Sequence, residues 1–124
     1  MWQKHGLIYT GSKAQCPIVS VNDNYWRIYF TDRDHYNQNF ANYLDVEKAN
    51  PTRYLHRKER LLSAGKVGSC DSAGVMPTAF YGNYLYYIGW TIRQDVPYFN
   101  YTCIAQKIGE SYVKLGPVLS PTLL

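Results

Sequence analysis

Four short runs of β-branched and aromatic residues, separated by turn chemistry, fill the first half of this chain, and the same series recurs in the second half. That recurrence constrains the fold most, because no segment sustains an apolar stripe at helical spacing while the strand signal returns four times per copy. In the first copy, residues 18–21 are short and β-branched, and Asn22-Asp23-Asn24 supplies a turn. Residues 26–31 read as the returning strand of a hairpin, 32–38 as a polar loop, and 40–46 as a third strand. Asn50-Pro51 stops it, and 52–56 reads as an outer strand whose leading proline suits a sheet edge. In the second copy, 75–81, 84–90, 101–107 and 112–115 read as strands, with turns at Gly82-Asn83 and Gly109-Glu110-Ser111. Tyr29 and Tyr87, both mid-strand, lie 58 positions apart, and Pro17 and Pro77 precede the two hairpins.

The expected fold is all-β, two consecutive four-stranded antiparallel meanders in one domain. Unit one covers about 12–60 and unit two about 70–120. A short helix is expected around 57–63. A length of 124 residues with 46% hydrophobic and 18% charged residues is enough to bury a core. The 13 tyrosines, with 3 tryptophans and 4 phenylalanines, suit pleated faces and binding surfaces alike.

The net charge of +4 favours anionic partners without requiring one. Its densest basic stretch, 53–60, reads as a solvated strand end or loop, so nucleic acid is not an expected partner; such a role would demand steep salt dependence. Cys16, Cys70 and Cys103 are odd in number and lack CxxC spacing, which argues against a disulfide framework or a zinc site and fits reduced thiols in the cytoplasm. His5, His35 and His56 are scattered, so no metal is expected. No GxGxxG or P-loop is present, and no cofactor is expected. No stretch reads as a signal peptide or a membrane span.

Polar groups gather where strands meet loops, at 12–17, 31–34, 70–77 and 89–100. The motifs AQCP at 14–17, WRIYFTDRD at 26–34, DSAGVMPT at 71–78, LYYIGW at 85–90 and VPYFN at 96–100 resemble, in the same order, bacterial five-bladed β-propellers of the glycosidase-like class, related to arabinanase and xylosidase propellers. Lys13 stands where that family usually has histidine, and Ser72 where it usually has a second aspartate. At about 40–50 residues per blade, the resemblance covers the N-terminal two blades.

The resemblance implies a glycoside-binding end. Asp34 and Asp71 are the candidate catalytic carboxyls, set against their use as turn caps or partners of arginine. Gln15 and Asn100 are candidates for hydrogen bonds to hydroxyls, Trp90 and Tyr98 for stacking on a sugar ring, and Arg33 and Arg93 for ligand contacts. Glycoside hydrolysis needs two carboxyls across the bond, and the blades expected to supply the rest of that machinery have no counterpart here. The expected function is therefore a truncated glycosidase-like module that binds a saccharide at the strand ends and is inactive alone. Two alternatives are an assembly or adaptor protein with a vestigial site, and a hydrolase active only as an oligomer. Two blades leave an aromatic sheet face and an edge open, so the expected partner is a second copy, in a homodimer or higher closed oligomer.

Overall fold

The computed structural model describes residues 1–11 and 13–121. Ser12, which opens the 12–17 stretch, lies outside the described residues. The chain is all-β, with eight strands and no helix among the described residues: β1 (Gln15–Val21), β2 (Tyr25–Arg33), β3 (Asn39–Glu47), β4 (Tyr54–Leu62), β5 (Gly74–Tyr81), β6 (Tyr84–Thr91), β7 (Phe99–Ile108) and β8 (Ser111–Leu119). Neighbours in sequence pair antiparallel within β1–β4 and within β5–β8. The two meanders join in one sheet through a single parallel bridge, Asn39 to Gly74.

The expected helix at 57–63 is replaced by strand, since β4 pairs with β3 from Tyr54 to Leu62. The run has no apolar stripe to hold a helix against the sheet, whereas β3 offers a full row of backbone groups. A bulge lies opposite Ala41 and Tyr43, with Arg60 at φ 59° and its amide donating to Asn42 Oδ1 at 2.9 Å. The bulge breaks the alternation, which lets successive Leu61 and Leu62 both bury.

The meanders pack face to face. Ala41 and Leu62 of the first join Val75, Leu85, Tyr87, Cys103 and Ala105 of the second in one core. Tyr29 and Tyr43 meet Phe80 and Tyr112 beside it, with the Tyr29 and Phe80 ring centroids 4.3 Å apart. Arg27 borders this core. It forks onto its cross-strand partner Asp45 at 2.8 and 3.0 Å, lies over the Tyr43 ring, and reaches Glu110 in the β7–β8 turn at 3.7 Å. The outer face of the first meander, formed by Phe30, Leu44 and Val46, is covered by Ile8 and Tyr9 from the N-terminal segment.

Among the described residues, no segment straps the corresponding outer face of the second meander as Ile8 and Tyr9 strap the first. Met76, Tyr86, Ile88 and Ile104 lie there half-buried, flanked by the exposed Val113 and Leu119.

Candidate functional site

The ends of β2 and β6 and the starts of β3, β5 and β7 converge at the inter-meander bridge. A cleft of about 310 Å³ opens there, lined by Arg33, Asn39, Met76, Ile88, Trp90, Tyr98 and Asn100. Four of the sequence-derived site residues, Arg33, Trp90, Tyr98 and Asn100, thus share one concave surface.

Local chemistry sets each wall. Trp90 pairs with Gly74 across the β5–β6 ladder, and a Cβ at residue 74 would stand 2.5 Å from the indole Nε1. Only a glycine there lets the indole lie down over β5. Tyr98 packs edge-on to it with centroids 5.4 Å apart, yet remains 62% exposed. Across the cleft, Arg33 Nε donates to Asn39 Oδ1 at 2.8 Å and its NH1 donates to Asn37 Oδ1 at 3.2 Å. Asn39 is buried, so the guanidinium is held from behind while its cation faces the opening. Asn39 and Met76 were not singled out from sequence. The signal for Asn39 lay in the hairpin register, which puts it directly opposite Arg33.

The other candidates sit elsewhere. Gln15 lines an apolar cavity of about 330 Å³ between the N-terminal segment and Phe30 and Leu44. Its carbonyl accepts from the Thr31 hydroxyl at 3.3 Å. Arg93 spreads over the Phe99 ring, donates to the Tyr101 hydroxyl at 2.8 Å, and lines a third cavity with Cys70, Ser72 and Thr91.

The two candidate carboxyls occupy different settings. Asp34 Oδ1 accepts the amides of Tyr36 and Gln38, each at 3.0 Å, and Arg60 lies 3.6 Å from Oδ2. This is a turn cap that shapes the β2–β3 loop. Asp71 is buried, with Lys114 at 2.6 Å, the Tyr87 hydroxyl donating at 3.1 Å and Ser69 Oγ at 2.9 Å. It lines a cavity with Lys114 and Tyr87 that contains none of the cleft residues. Burial, then the charge of Asp71, pushes the Tyr87 phenol above its ordinary range, so it stays a donor to that carboxylate.

Asp32, between Thr31 and Arg33, also binds backbone: its Oδ1 accepts the Lys13 and Arg33 amides at 2.9 and 2.8 Å. Among the described residues no group of three His, Cys, Asp or Glu is placed to hold a metal. Among the described residues no helix is long and apolar enough to cross a membrane. Comparison with protein-family models, with curated proteins and with solved structures finds no match to this chain.

Proposed function

We propose that the chain is a saccharide-binding module of glycosidase-like propeller type, with its ligand in the Arg33–Trp90–Tyr98–Asn100 cleft. The observation that carries the reading is the convergence of those four residues on one opening. A sugar ring presents an apolar face of C–H groups and an equatorial rim of hydroxyls. Trp90 and Tyr98 suit the first, and the fixed Arg33 guanidinium and the exposed Asn100 suit the second. The reading is of binding without hydrolysis. The two candidate carboxyls are committed to a turn cap and to Lys114, and Asp71 lines a different cavity from the cleft.

Titrating mono- and oligosaccharides against the full chain, followed by tryptophan fluorescence, should show saturable binding. Tyr98→Ala should weaken it by about two- to tenfold, the worth of one stacked aromatic contact. No response to any saccharide, or the same affinity in Tyr98→Ala and Asn100→Ala, would overturn the reading.

A second reading, self-assembly, rests on the unstrapped outer face of the second meander. The first meander covers its corresponding outer row, Phe30, Leu44 and Val46, with Ile8 and Tyr9. A second copy offering the same Met76–Tyr86–Ile88–Ile104 face would cover that of the second meander by a self-complementary contact.

A further inference from the structure

We propose that Cys70 and Cys103 are a redox pair that closes into a disulfide and fastens the 63–73 segment onto β7. Their sulfurs lie 3.4 Å apart although the residues are 33 positions apart in sequence. Both thiols are free, as is Cys16. A disulfide needs about 2.05 Å between sulfurs, so the two must draw together by roughly 1.4 Å. Gly89 explains why the two meet. A Cβ there would stand 3.0 Å from Cys103 Sγ, 3.2 Å from the Cys70 carbonyl oxygen and 2.7 Å from Asp71 Cβ. The bare backbone of β6 therefore lets residues 70 and 71 settle over Cys103.

The two thiols have different roles. Cys70 is half-buried and lines two cavities, of about 690 and 460 Å³, so a reagent from solvent reaches it. Cys103 is fully buried, and burial followed by the neighbouring Cys70 pushes its thiol up to about 12. Cys70 is thus the entry thiol and Cys103 the resolving one. The oxidant is a small-molecule disulfide of the glutathione class. The Cys70 thiolate attacks one of its sulfurs, forming a mixed disulfide and releasing one small thiolate. Cys103 then gives up its proton and attacks the Cys70 sulfur, releasing the second. Two protein thiols lose two electrons, and one small disulfide becomes two thiols. The bond would lock in place the segment that carries Asp71 against Lys114 and Tyr87.

The test incubates the full chain with oxidised glutathione, blocks remaining thiols with an alkylating reagent, and maps peptides by mass without reduction. The expected result is a Cys70–Cys103 linked peptide, with glutathione only on the exposed Cys16, and a thermal midpoint raised by roughly 5–10 °C. In Cys103→Ser, Cys70 should instead hold a lasting glutathione adduct. A wild-type chain whose Cys70 keeps glutathione or stays alkylatable while Cys16 reacts would overturn the proposal, whether or not the variant folds.

Discussion

At the scale of single residues, the chain commits its buried charges to fixed partners. Asp71 is the clearest case. Asp71→Asn would leave Lys114 facing a neutral amide and should cost about 2 kcal/mol in urea unfolding, reduced from the fully buried case because Lys114 is partly solvated. Loss of less than about 0.5 kcal/mol would mean that the pair contributes as little as a surface ion pair.

The buried Cys103 and Tyr87 and the partly buried Tyr112 all have folded values above their ordinary 9.0 and 10.0. In each, burial is the largest cause. A raised value means the unfolded chain releases its protons first as the solution turns alkaline. Their stabilisation is therefore intact below about pH 9 and is lost as pH climbs through 10 and beyond. Urea midpoints measured from pH 7 to 11 should be level at first and then fall; a flat profile would contradict the burial of these groups.

Residue types were legible in the sequence where a side chain does its work close by. Asp34 as a turn cap was one of the two roles set against catalysis for it. Its separation from Asp71 was not legible, because that depends on how one sheet lies on another.

At the scale of elements, seven of the expected strands fall inside observed ones, since alternating apolar residues and turn chemistry are local signals. The eighth, expected at 52–56, begins at Tyr54 and runs on to Leu62, past its expected end and into the segment assigned to a helix. The deciding factor there was pairing with β3 and the bulge at Arg60, neither of which is written in local periodicity. The equivalence of Tyr29 and Tyr87 is one of position, and the structure adds their direction: both point into the core between the meanders.

Two elements carry sharp expectations. Arg27→Ala would strand Asp45, which is nearly buried, and remove the reach to Glu110, costing about 3 kcal/mol in chemical unfolding. Gly89→Ala would force a methyl group against Asp71 and Cys103, costing about 1–3 kcal/mol and slowing the Cys70–Cys103 cross-link.

At the scale of the whole molecule, two stacked meanders leave one outer sheet face strapped by residues near Ile8 and Tyr9 and the other without a strap among the described residues. The unstrapped face predicts concentration-dependent association in sedimentation velocity, abolished by Ile104→Glu; a monomer at micromolar concentration would refute it. The strand count was legible from sequence, whereas the stacking that brings Arg33 of one meander beside Trp90 of the other was not. Those residues lie 57 positions apart and meet only because Asn39 bridges to Gly74.

That meeting is what the saccharide reading depends on, and it can be observed directly. In a two-dimensional NMR titration of the full chain with the saccharide that binds best, the Trp90 indole N–H and the side-chain amides of Asn39 and Asn100 should shift together along one binding curve, while those of the exposed Trp2 stay still. Shifts confined to the Gln15 or Arg93 cavities, or no shifts with any saccharide, would contradict it.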